Sequence, residues 1–135
     1  ILYRIILDKP KSICIINRTQ QKASRLVKKY QSNFQIESSI NIEVNYDVVI
    51  NGSSAGLTGA FIPPGKIKTN NKTCFYDLNY SLDKTPFCKW ASDYSSNVFD
   101  GIGMLVNQAA YSFQLWFDVF PETGKVLNDI NSLKK

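Results

Sequence analysis

The sequence predicts an α/β protein, with a parallel sheet flanked by helices. Three observations carry this. Short apolar runs alternate with helix-period segments along the chain. The clearest runs, residues 12–16 and 47–51, are nearly continuous, as in parallel strands covered on both faces. And three runs stop at polar groups: Asn17-Arg18-Thr19, Asn51-Gly52-Ser53-Ser54 and Asp77-Leu78-Asn79-Tyr80. In one parallel sheet these endings line a single edge, and such sheets bind ligands beyond the carboxyl ends of their strands.

The elements follow in order. Residues 1–7 read as a helix end, stopped near Pro10 because proline cannot continue a helix. The opening has no Met and no cap, like the middle of an amphipathic helix, so the chain is expected to be a piece of a longer protein. Residues 12–16 form the first strand. Thr19 then starts a helix over residues 20–30, with Ala23, Leu26, Val27 and Tyr30 on one stripe and lysines on the solvated face. Residues 33–37 are a second strand. Residues 47–51 and 73–77 are stronger ones, each running into polar residues. Thr85-Pro86 opens a helix with proline in its first turn, extending to about Tyr94. Residues 98–100 are a last short strand, and residues 101–117 and 122–133 are closing helices. Pro63-Pro64-Gly65 is a turn.

Composition narrows the function. At 135 residues the chain is of single-domain size, and 44% hydrophobic residues suffice for a core. The net charge of +5 is modest and its basic residues are scattered, which suits an anionic ligand better than nucleic acid. No run is long enough to span a membrane. The absence of histidine excludes Ser-His and Cys-His nucleophilic catalysis and argues against a zinc site. Three cysteines without metal spacing, Cys14, Cys74 and Cys88, read as buried free thiols in a reducing, cytoplasmic setting.

Several residues carry candidate chemistry. In a dinucleotide fold, an acid at the end of the second strand meets the ribose 2′-hydroxyl, whereas an arginine pairs with a 2′-phosphate. No acid occurs from Asn17 to Lys29. Arg18 offers a planar fork of donors, Thr19 a hydroxyl, and Lys22 lies one turn on. The same trio also serves simply as a helix cap with a solvated arginine. Small residues from Asn51 to Gly56 would let backbone amides approach a cofactor, or form a plain loop. Tyr80 could donate its hydroxyl to a substrate, or pack at the surface. In Asp100-Gly101-Ile102-Gly103-Met104-Leu105-Val106-Asn107-Gln108-Ala109-Ala110, glycines open a helix and Gln108 sits on its inner, apolar side. A buried amide there needs partners, from the protein or from a ligand. Met104, Gln108, Tyr111 and Leu115 share a face. Tyr111, Phe113, Trp116, Phe117 and Phe120 place five aromatics within ten residues and are expected to expose apolar surface or bury it in a partner chain.

Taken in order, Asn17-Arg18-Thr19, Asn51-Gly52-Ser53-Ser54-Ala55-Gly56, Tyr76-Asp77-Leu78-Asn79-Tyr80, Thr85-Pro86-Phe87 and the run from Asp100 to Ala110 resemble the C-terminal half of shikimate dehydrogenases, over nearly the whole chain. The resemblance implies a Rossmann-like parallel sheet in a three-layer α/β/α arrangement, truncated at its N-terminal edge. Residues 1–100 would be a partial NADP-binding domain, and residues 101–135 helices packing toward a substrate domain. It implies NADPH-dependent reduction of 3-dehydroshikimate to shikimate, with quinate/shikimate dehydrogenase or a non-catalytic nucleotide-fold binding module as alternatives. Asn17, Arg18, Thr19, Gln20, Gln21 and Lys22 would hold the adenosine 2′-phosphate end. Leu78, Gly101 and Met104 would meet the nicotinamide, and Tyr80 and Gln108 the small-molecule substrate. The family's glycine-rich loop and its catalytic Lys and Asp find no match here, so the chain alone is expected to be inactive. Self-association through the C-terminal helices is a further expectation.

Overall fold

A computed structural model describes residues 1–31, 35–55 and 61–134. The elements run α1 (Leu2–Leu7), β1 (Ser12–Ile15), α2 (Gln20–Tyr30), β2 (Gln35–Ser38), β3 (Val48–Asn51), β4 (Cys74–Asp77), α3 (Pro86–Ala91), β5 (Val98–Phe99), α4 (Ile102–Phe117) and α5 (Thr123–Leu133). Each expected element is present near its expected bounds. Asn33 and Phe34 of the expected second strand lie outside the described residues.

The chain divides into two compact units, Ile1–Val44 with Pro64–Lys68, and Asn45–Pro63 with Thr69–Lys135. In the first, β1 and β2 pair in parallel, Ser12 opposite Gln35 through Ile15 opposite Ser38. In the second, β3, β4 and β5 form a parallel sheet in that order, with Asn51 opposite Asp77. All pairings are parallel, as the apolar runs predict. The single sheet is not found. A continuous sheet needs a strand joining β1 to β3, and none of the described residues supplies one. Two of the three polar strand endings therefore share a sheet edge, and Asn17-Arg18-Thr19 ends a different sheet.

The strands are also less covered than continuous apolar runs suggest. Every residue of β1 is only half-buried, and Val48 and Ile50 of β3 are exposed. Cys14 and Cys74 are likewise half-buried; the thiol that is buried is Cys88. On α2 the expected stripe is graded: Ala23 is fully buried, Val27 and Tyr30 half-buried, and Leu26 exposed.

The core of the second unit forms where α3 covers one face of the sheet. Residues two apart on a strand share a face, so Phe75 and Asp77 both point to α3, and both are fully buried. Phe75 packs against Phe87, Trp90 and Tyr94, and Phe61 closes the cluster edge-on to Phe87. The helix starts where Thr85 accepts the Cys88 N–H and Pro86 occupies the first turn. It ends three residues short of Tyr94, where Ser92 donates its hydroxyl to the Cys88 carbonyl and the chain turns.

α4 is stabilised along one stripe. Ile102, Val106 and Ala110 recur every four residues and are buried. The helix stops at Asp118, whose backbone is left-handed (φ 55°), a conformation that Asp tolerates better than most residues. Further along the helix Tyr111, Phe113, Trp116 and Phe117 are all exposed, as is Phe120 beyond it. Phe75→Ala should lower unfolding free energy by about 3–5 kcal/mol, because it empties the centre of the α3 contact. Trp116→Ala, which removes a ring that is 73% exposed, should change it by less than about 0.5 kcal/mol. Urea titration of both variants checks the contrast.

Candidate functional site

The carboxyl ends of β3 and β4 meet in a buried polar cluster. Because Asn51 and Asp77 are register partners in a parallel pair, their side chains lie side by side. Asn51 Nδ2 donates to Asp77 Oδ1 at 2.9 Å. The same oxygen accepts the Asn79 backbone N–H at 3.1 Å and Asn79 Nδ2 at 3.0 Å. Asp77 Oδ2 accepts the Thr85 hydroxyl at 2.6 Å. Asn51 Oδ1 in turn accepts the N–H and the hydroxyl of Ser53. No described buried side-chain polar atom is left without a partner.

This cluster shapes the turn that follows β4. Leu78 N–H donates to the Asn51 carbonyl, and Asn79 Nδ2 also donates to the Ser53 carbonyl. The Asn79 carbonyl accepts the Gly101 N–H at 2.9 Å. A Cβ on Gly101 would lie 2.5 Å from the Leu78 carbonyl oxygen, so the two backbones touch and only glycine fits. Beside this contact Leu78 is half-buried and Tyr80 is 49% exposed. Asp100 Oδ1 accepts the Ile102 N–H and Oδ2 pairs with Lys134 at 2.8 Å, so the start of α4 is fixed from both sides. Leu78, Tyr80 and Gly101 are thus brought together around one turn.

Met104 and Gln108 lie further along α4. Both are exposed, whereas Gln108 was expected on the inner face. The reason is the buried stripe: Val106 and Ala110 face inward, and Gln108, two residues from each, falls on the opposite side of the helix. Its amide makes no hydrogen bond among the described residues. It is an available donor and acceptor rather than a core amide.

The other candidate group sits in the first unit. Asn17 Oδ1 accepts the Thr19 N–H at 2.9 Å, closing a local turn. Thr19 takes the N-cap position of α2, but its side chain makes no cap bond. Gln20 Nε2 reaches Ser38 Oγ at 3.3 Å, across to the end of β2. Arg18, Gln21 and Lys22 are exposed, and neither cation makes an ion pair among the described residues. The arrangement leaves a guanidinium, an ammonium and a hydroxyl beside a strand end, with no acid to satisfy them. That set suits a phosphate group.

The second unit also has a cavity of about 680 Å³. Tyr76, Cys88, Ser92, Asp100, Asn131 and Lys134 line part of it, whereas Leu78, Tyr80, Gly101, Met104 and Gln108 do not. Burial, and then the Asp100 charge, push the Tyr76 phenol above its ordinary value. Burial does the same to the Cys88 thiol; the Thr85 hydrogen bond opposes it, and Asp77 and Asp100 add to it.

Two features escaped the sequence reading. Asp77 stands in a noted motif but had no assigned role; its signal was a charged residue ending an apolar strand with Thr-Pro eight residues on. The Asp100–Lys134 pair links residues far apart in the chain and leaves no local pattern.

Comparison with known proteins places these residues in context. Residues 101–127 match the family model described as the Shikimate 5'-dehydrogenase C-terminal domain. A shikimate dehydrogenase (NADP(+)) from Colwellia psychrerythraea is 38% identical over 140 residues, covering 100% of this chain and 50% of the relative. One from Coxiella burnetii is also 38% identical, covering 87% of this chain and 45% of the relative. Among solved structures, an Ael1 enzyme from Pseudomonas putida superposes with a TM-score of 0.74 at 29% identity, covering 96% of this chain and 49% of that one. The chain spans about half the length of the curated relatives it matches.

The two glycines at the start of α4 should respond oppositely to a methyl group. Gly101→Ala should destabilise by about 1–3 kcal/mol, since the clashing atoms are backbone. Gly103→Ala meets nothing within 4 Å and should stabilise by about 0.5–1 kcal/mol. Urea midpoints of the two variants moving the same way would contradict this packing. The raised Cys88 thiol gives a pH test. A proton held more tightly in the folded state adds stability below the ordinary thiol value of 9.0, lost as pH rises through the folded value. Unfolding free energy should therefore fall as pH rises above 9.0, and fall less in Cys88→Ala.

Proposed function

We propose, because this chain belongs to the shikimate dehydrogenase family and matches its C-terminal half, that it forms the cofactor side of an enzyme reducing 3-dehydroshikimate to shikimate with NADPH. The observation that carries this is the contact between Gly101 and the Leu78 carbonyl, which pins the start of α4 to the turn carrying Leu78 and Tyr80 at the sheet edge. Only a residue without a side chain lets the two backbones meet so closely.

The residue roles follow from their chemistry. Arg18 and Lys22 neutralise the 2′-phosphate of the adenosine end, with Thr19 adding its hydroxyl, Asn17 holding the turn, and Gln20 and Gln21 flanking it. The absence of an acid in this segment favours NADP over NAD. Gly101 meets the nicotinamide carboxamide through its backbone, and Leu78 and Met104 pack against the ring. When bound, the cofactor supplies a hydride to the substrate's ring ketone. Tyr80 and Gln108 hold the cyclic substrate by its hydroxyl and carboxylate groups, which aligns the carbonyl carbon. The proton taken up by the carbonyl oxygen comes from a group outside these residues, so the 135-residue polypeptide alone should not oxidise NADPH in the presence of 3-dehydroshikimate. On the same reading, the exposed aromatic face of α4 meets the rest of the enzyme or another copy.

Arg18→Ala tests the cofactor assignment. Loss of a charge-assisted contact to phosphate should weaken NADPH binding by roughly 10- to 100-fold and leave NADH binding nearly unchanged. Titration of both cofactors by fluorescence reads the difference, and equal weakening would remove the 2′-phosphate role.

A further inference from the structure

We infer that Asp77 is a positioning residue: its buried carboxylate fixes the turn at 78–80 and, through Asn79, the place of Gly101 at the start of α4. The inference rests on the reading of Leu78, Tyr80 and Gly101 as the nicotinamide and substrate end, but its geometry stands apart from that reading.

Asp77 is fully buried. The four groups that reach it, Asn51 Nδ2, the Asn79 N–H, Asn79 Nδ2 and the Thr85 hydroxyl, are all neutral. Burying a carboxylate is costly unless its lone pairs are met, and an apolar residue of similar size would cost less. What the carboxylate adds is geometry. Its Oδ1 takes three of the donors and its Oδ2 the fourth; an amide in its place would turn an NH2 toward the Thr85 hydroxyl, and an aliphatic side chain would meet none of the four. Two of these come from Asn79, one from its backbone and one from its side chain, so Asn79 is held at both ends of the residue. The carbonyl of that residue then takes the Gly101 N–H. The path from Asp77 to Gly101 is two hydrogen bonds and one residue long. The 2.5 Å limit at Gly101 means that a small shift of the turn closes or opens the contact there. Thr85, by contrast, holds the other carboxylate oxygen and the start of α3, and lies off this path.

The difference between the two branches makes the test. In the intact protein, Asp77→Ala and Asn79→Ala should each lower kcat roughly 10- to 100-fold, with KM for either substrate changed less than about 3-fold. Their effects on kcat should be strongly non-additive, because both act on one turn. Thr85→Val should lower the urea midpoint at least as much as Asn79→Ala, yet change kcat less than about 3-fold. Amide hydrogen exchange adds a readout independent of activity. Asp77→Ala should speed exchange at Asn79 and at Gly101, which does not itself touch Asp77, and spare Val106 and Ala110. If Thr85→Val costs as much kcat as Asp77→Ala, or Gly101 exchange is unchanged in Asp77→Ala, the positioning role is overturned. Failure of the wild-type protein to reduce 3-dehydroshikimate would instead overturn the functional reading, and the Gly101 exchange result would still decide the role of Asp77.

Discussion

A single buried carboxylate organises the second unit. Asp77 ends β4, is the register partner of Asn51 at the end of β3, and catches Thr85 at the start of α3. Three elements and one turn are therefore tied to two oxygen atoms. Phe75, two residues earlier on the same face, supplies the apolar half of the α3 contact. The two residues divide the work. The aromatic cluster gives burial energy without direction, and the carboxylate gives direction at a desolvation cost that four hydrogen bonds offset.

The start of α4 depends on this arrangement from the other side. Gly101 reaches the Asn79 carbonyl, and Asp100 both accepts the Ile102 N–H and pairs with Lys134, which follows α5. The helix leaves this anchor with Ile102, Val106 and Ala110 inward and an aromatic face outward. Met104 and Gln108 are carried on exposed surface, where they remain free to meet a ligand. Rigid backbone at the helix start and accessible side chains one and two turns on are what a binding edge requires.

Much of this was legible in the chain. Continuous apolar runs at 12–16, 47–51 and 73–77 marked parallel strands, and the polar residues ending the last two marked the edge that β3 and β4 share. Thr85-Pro86 marked α3, because a cap and an N1 proline are local signals. Three things were not legible, each because it depends on non-local structure. The split into two sheets reflects a pairing that none of the described residues supplies. The outward turn of Gln108 is a matter of helix phase, decided by which stripe finds a packing surface. The role of Asp77 needs the register of two strands and a helix start together, and no single segment contains all three.

The most direct test of the account is a crystal structure of the intact protein with NADP⁺ and shikimate. The nicotinamide carboxamide should lie against the Gly101 backbone, with the ring beside Leu78 and Met104. Shikimate should be held by Tyr80 and Gln108, and the 2′-phosphate should sit on Arg18. A nicotinamide bound elsewhere, for example in the cavity beside Tyr76 and Lys134, would contradict it.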